Sequence, residues 1–429
     1  MIRIKPVFYF LGALSIATTL FFIGCGDGND TTSPTLRFAH FWSEPTQKAL
    51  LQERIAEFEK QNPDISVELI DMSWGDGKEK LFAMFNARQA PEVIELGSDW
   101  IAQFSSEGVL LDMTVTPEDR LYQEVIGRFP KDFLAPAMWD KKIYARPWLV
   151  GTQAMYVNKV LLGEAEITGA DFQTWDNVLN AGEQVTMKFK DGTPPRFGFG
   201  AAVNDKHRVY KRILMLFWSN GGSLFDENGG PTINSTANLE ALELYLTLAR
   251  NGRIDQQRQL DQLFLKGDIA FWVSGSWLMG QIAKENPKLE YNVLPLPSFS
   301  DKPAVSFAGG EFLAISSAAE NKDAAQKLVA SLTSPEQALV FCKGLNMGFI
   351  PADLSVANDP FLQEEPQKGF TDQMKGSRFT PIHPQWLEIE AILEHAVTET
   401  VLGEKEAKQA LDDAQVQVLE LLGEVEGDN

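Results

Sequence analysis

Leu263-Phe-Leu-Lys-Gly-Asp-Ile-Ala-Phe-Trp-Val-Ser-Gly-Ser-Trp-Leu-Met-Gly280 decides how this chain is read. Residues 263–266 read as the end of a helix, with Gly267 as its stop, because glycine enters the left-handed backbone region without steric cost. Residues 269–273 are an apolar run of the length of a buried strand. Ser274-Gly275-Ser276 then turns the chain and is expected to cap a new helix beginning near Trp277. A large ring therefore sits where a buried strand ends and a helix starts. In α/β sheets that edge is where ligands bind.

The same strand-to-helix rhythm extends outward from this stretch. Residues 35–41 read as a strand, and Pro45 opens a helix carrying Leu50, Leu51, Ile55 and Phe58 at helical spacing. Residues 65–70 and 90–97 are further strands, separated by a helix over 78–89, and Ser98-Asp99-Trp100 starts the next helix. Strands alternating with helices imply a largely parallel sheet, the α/β class. Residues 142–148 and 153–159 are two short strand candidates suited to a crossing between domains. Helices follow over 207–218, 236–250, 323–332 and 335–343, and Ala407, Leu411, Ala414, Val418 and Leu421 line one face of the last. No internal repeat or long linker interrupts the pattern.

The chain has 429 residues, enough for two or three domains with proper cores. Its formal charge of −21 would become −23 on loss of a leader carrying Arg3 and Lys5. A field of that sign argues against nucleic acid and against anionic lipid as partners. Of the two cysteines, Cys342 lies among Leu339, Val340 and Phe341 and reads as a core thiol, so no disulfide framework or zinc site is expected. The four histidines show no metal-binding spacing, and neither a nucleophile elbow nor a phosphate loop is present. Glu388, Glu390 and Glu394 share part of a helix but read as a solvated face rather than the facing carboxylates of a glycosidase. The expectation is a binding protein, not an enzyme, with no cofactor and no metal.

Residues 1–24 read as a targeting segment: Arg3 and Lys5, then an uncharged, mostly apolar run to Gly24. Cys25 follows, and residues 25–34 are a polar tether. This resembles a bacterial lipoprotein signal, which implies lipidation of Cys25; Phe22 stands where that pattern favours Leu. An uncleaved anchor is the alternative, and in both cases the folded part stands outside the cytoplasmic membrane.

Many short stretches keep one family's order across residues 35–420. They include Ala90-Pro-Glu-Val-Ile, Gly108-Val-Leu-Leu-Asp, Arg146-Pro-Trp148, Tyr156-Val-Asn-Lys159, Asn220-Gly-Gly-Ser-Leu-Phe225, Phe264-Leu-Lys-Gly-Asp-Ile-Ala270, Gly275-Ser-Trp277, Leu294-Pro-Leu-Pro297 and Leu332-Thr-Ser-Pro-Glu336. In these the chain resembles the extracellular solute-binding proteins of sugar ABC transporters, the group that includes maltose-binding protein. The resemblance implies a two-lobed periplasmic-binding-protein fold of type II, each lobe a mainly parallel sheet flanked by helices. The lobes would comprise residues 35–149 with 306–357 and residues 150–305 with 358–429, crossing near Val150, Val305 and Ala357, and hinge closure is the implied motion. It also implies a lipid-anchored monomer at the periplasmic face or cell surface that captures a sugar and passes it to ABC permease subunits. A receptor reporting a solute to a membrane sensor, or the same fold holding a polyol or other non-sugar solute, remains the alternative.

A sugar offers C–H faces to flat rings and hydroxyls to carboxylates and amides. Trp42, Trp74, Trp100, Trp148 and Trp277 fall at strand-to-helix edges or loops, with Glu44 and Asp99 as nearby acceptors. Trp277 is the leading candidate for ligand contact, and Asp99 matches a ligand position in the maltose-binding branch. Gly310 and Glu311 lie where the family chain crosses beside the cleft, and Trp386 lies where relatives bring an aromatic residue into it. Core packing is the competing reading for each ring; Trp139, Trp175, Trp218 and Trp272 are assigned to it outright.

Overall fold

The structure, a computed structural model, describes residues 34–114, 127–299, 301–345 and 348–423. The expected targeting segment, Cys25 and the tether up to Ser33 lie outside the described residues.

Eight strands form one path: Ser66–Asp71, Thr35–His40, Val93–Gly97, Ser306–Ile315, Ala145–Asn158, Ile269–Gly275, Phe197–Ala202 and Arg253–Asp255. The first three run parallel to one another, as do the last three. The two long strands between them are antiparallel to their neighbours and tie the two parallel sets together. Ala145–Asn158 pairs through residues 145–152 with Ser306–Ile315 and through residues 153–157 with Ile269–Gly275.

Helices cover both sets. Pro45–Gln61 buries Leu51, Ile55 and Phe58 against a core with Phe38 of Thr35–His40, Leu328 of Lys322–Leu332 and Phe341 of Pro335–Leu345. Pro45 occupies the first turn, where its missing N–H costs nothing. On the other side Val209–Ser219, nearly all buried, packs against Thr236–Arg250 and Trp386–Val401. Gln257–Lys266 stops at Gly267, whose φ of 87° is left-handed, and the Asp268 N–H reaches back to Leu263 O at 2.9 Å.

Two local expectations are corrected. The strand after Gly267 runs to Gly275, and Ser276 makes no side-chain cap; the Ser274 hydroxyl instead donates to buried Asp261 at 2.8 Å. The two strand candidates around Val150 are one strand of 14 residues, Ala145–Asn158. Within it Gly151 admits the Phe349 ring, which would stand 3.1 Å from an added Cβ, without breaking the ladder.

Candidate functional site

Because Thr35–His40, Ser66–Asp71 and Val93–Gly97 run parallel, their carboxyl ends deliver Phe41, Trp74, Asp99 and Trp100 to one edge. Phe41 and Trp74 stack at 4.0 Å between centroids with 21° between planes. Trp100 meets them edge-on at 5.6 and 5.3 Å. Phe41 and Trp100 are buried, whereas Trp74 is 37% exposed, so one open ring rests on a two-ring base. Gly97 makes room for this group: an added Cβ would stand 2.7 Å from Asp99 Oδ1 and 3.5 Å from the Trp74 ring.

The facing edge follows Phe197–Ala202 and leads into Val209–Ser219. Tyr210 donates its hydroxyl to Asp99 Oδ2 at 3.0 Å, and Lys206 Nζ lies 3.7 Å from Glu79 Oε1. Tyr210 stands edge-on to Phe307 and Trp386, with centroids 6.1 and 5.6 Å away. Glu394 accepts the backbone N–H groups of His207, Arg208 and Tyr210 at 3.1, 2.8 and 3.3 Å, serving donors that a helix start leaves without internal partners. Glu390 contacts His207 Nδ1, while its Oε2 meets no donor among the described residues.

These contacts correct the solvated-face reading of that helix. Glu390 and Glu394 are 1% and 9% exposed, and only Glu388 is exposed. Positions 390 and 394, one turn apart, point the same way as Leu393 and Val397, into the helix start they serve. Burial, then the Asp99 charge, holds Glu390 well above the usual carboxylate range. Burial also raises Glu394, against the three N–H bonds that favour its charged form. Burial lowers both His207 and Lys78, and Glu388 and Glu390 partly offset the effect on Lys78.

Between the edges runs Gly309-Gly310-Glu311. An added Cβ at Gly310 would stand 2.5 Å from Leu149 O, so this glycine admits the neighbouring strand, and its carbonyl accepts the Ser98 N–H at 3.0 Å. Glu311 pairs across the ladder with Gly97, which sets it beside Asp99 and Trp74. Lys211 lies over the Phe307 ring at 5.0 Å and lowers the proton affinity of Glu311.

The remaining candidates make other contacts. Trp277 is half-buried; its ring covers Gly275 and its Nε1 donates to Asp261 at 3.1 Å. Asp261 also accepts from Trp272 Nε1 at 2.6 Å. Trp42 and Trp148 are 4% and 1% exposed and pack edge-on to each other at 5.8 Å, with Phe341 behind Trp148. Trp386, 1% exposed, stands behind Tyr210. Glu44 is exposed at the start of Pro45–Gln61 and makes no side-chain cap. Trp175, Trp218 and Trp272 are buried and Trp139 half-buried. Sequence reasoning missed Phe41, Glu95, Tyr210 and Lys211. The apolar residues on both sides of Glu95 in Val-Ile-Glu-Leu-Gly97 could have marked it as an acid inside a buried strand.

Residues 53–369 match the family of bacterial extracellular solute-binding proteins. The chain belongs to that family. This solute-binding protein is 25% identical over 389 residues to the galactooligosaccharide-binding protein of Bacillus subtilis (strain 168), covering 87% of this chain and 86% of the relative. Its fold is similar to that of an ABC substrate-binding protein from Listeria monocytogenes in complex with cycloalternan, with a TM-score of 0.78, 22% identity and coverage of 91% of this chain and 99% of that one. UgpB from Mycobacterium tuberculosis in complex with glycerophosphocholine shares the fold with the same TM-score, identity and coverage. No helix among the described residues is long and apolar enough to cross a membrane.

Proposed function

We propose that this protein captures a neutral sugar or oligosaccharide between its two lobes and delivers it to the membrane subunits of an ABC importer. The observation that carries this reading is the open Trp74 ring, stacked on Phe41 and braced by Trp100, beside the Asp99 carboxylate. Such a ring suits the C–H face of a sugar, and a carboxylate suits its hydroxyl rim. Tyr210 on the facing edge already bonds Asp99 through a hydroxyl, the group a sugar would offer. We assign Trp277 a second ring contact; Glu44 is placed at the outer rim, and Trp42, Trp148, Gly310 and Trp386 shape the walls from behind. The Asp99 carboxylate and the acidic balance of the chain favour a neutral solute over a phosphate ester such as the one held by the mycobacterial protein.

The lobes assigned are residues 35–149 with 306–357 and residues 150–305 with 358–429. A monomer tethered through a lipid on Cys25, outside the cytoplasmic membrane, completes the proposal.

Thermal melting of the protein against a panel of sugars and polyols tests it. A ligand bound only by the folded state at about 100 times its Kd stabilises by about 2.7 kcal/mol. A rise in Tm with a sugar is expected; a cooperative transition unmoved by every sugar would contradict the reading.

A further inference from the structure

At the floor of the site two carboxyl groups meet. Glu95 lies on a strand buried along its whole length and is itself 0% exposed. Glu311 is on the adjacent antiparallel strand, where Leu313 pairs with Glu95 and Glu311 with Gly97. The two acids are thus diagonal neighbours on one face, close enough for side chains to touch, and each acts on the other's proton affinity. Two buried carboxylates in contact repel and have no proton to offer each other, so the contact is favourable only when protons are kept on the pair. Glu95 Oε2 is already taken by the Phe41 N–H at 2.8 Å, and neither Glu95 Oε1 nor Glu311 Oε2 meets any donor among the described residues.

We propose that Glu95 and Glu311 both keep their protons, that Glu95 turns its O–H to Glu311, and that Glu311 donates its own O–H to the solute. This deepens the reading above and rests on it for the identity of the solute. It also reverses the role expected of Glu311, which as a carboxylate could only accept. The site then presents a charged acceptor, Asp99, beside an uncharged donor, an arrangement suited to hydroxyl groups, which do both.

The surroundings fit a retained proton. Asp99, in the turn after Val93–Gly97, adds negative charge that disfavours a second carboxylate, and Lys211 on Val209–Ser219 opposes it. His40 stands on the strand beyond Val93–Gly97, buried and held neutral by desolvation down to about 4 despite Asp71. Arg146 stands opposite Leu313 on Ala145–Asn158. Burial, then the Glu311 charge, holds Glu95 well above the usual carboxylate range, and burial pushes Glu311 up to about 8. An acid that holds its proton more tightly when folded adds stability below its unfolded value of 4.5, and that stability is lost as pH rises toward about 8.

The test compares the full chain in detergent with Glu311→Gln and Glu95→Gln, which keep the neutral shape at every pH. Without sugar, the variant should gain in Tm over the parent by roughly 2–4 °C between pH 5 and pH 9, while other titrating groups cancel in the difference. A difference that stays constant with pH for both variants would overturn the neutral pair. With galactotriose and maltotriose as probes, the parent's affinity for whichever binds should fall about ten-fold between pH 6.5 and 9. Glu311→Gln should hold its affinity across that range, and Glu311→Ala should bind weakly throughout. Parallel pH profiles for the parent and Glu311→Gln would overturn the donor role. Absence of sugar binding at any pH would sink the sugar reading, and the sugar-free melts would still decide the proton.

Discussion

Trp74 and Trp277 occupy equivalent places in the two parallel sets, each just past the carboxyl end of a strand, yet they are held differently. Trp74 rests on rings alone: Phe41 beneath it and Trp100 at its edge. Trp277 is held by its nitrogen, which donates to Asp261, a buried acid that also takes the Trp272 indole and the Ser274 hydroxyl. The first ring can be lost with little cost to the fold around it. The second is part of the joint that fixes a strand end to Gln257–Lys266. A ring at a sheet edge is therefore not one kind of feature; what its polar atom does separates a platform from a brace.

The largest effect expected from this contrast is at Asp261. Asp261→Ala leaves three donors without their acceptor and should destabilise the protein by about 3 kcal/mol, read in urea or heat, because buried unpaired donors are costly. A loss below about 1 kcal/mol would break the claim that Asp261 is the joint. Trp277→Ala comes next and should act twice. It should lower stability by about 1–2 kcal/mol from lost burial and weaken sugar binding by about 1–3 kcal/mol if the ring also faces the solute. Loss of stability with affinity unchanged would make Trp277 a brace only and sharpen the contrast.

The alternation of strands and helices, the stop at Gly267 and the opening at Pro45 were legible because each depends on a few adjacent residues. The edge carrying Trp74, Asp99 and Trp100 was legible for a related reason: in a parallel set, residues just past each strand are brought together whatever follows. The opposite wall was not. Tyr210 reaches Asp99 across 111 positions and Glu394 reaches His207 across 187, and no local pattern reports such partners. An acid every fourth residue on a helix looks solvated until the helix start it serves is in place. Trp42 and Trp148 show the converse: their strand-edge positions in the sequence suggested a cleft, and their packing against each other and Phe341 puts both rings in the core.

The central claim is that the open ring at the first edge holds the solute. Isothermal titration of Trp74→Ala with a sugar that raises the parent's Tm tests it most directly. The expected result is affinity weakened by about 1–2 kcal/mol with stability within about 0.5 kcal/mol of the parent, as for an exposed residue. Unchanged affinity in a variant that melts like the parent would contradict it.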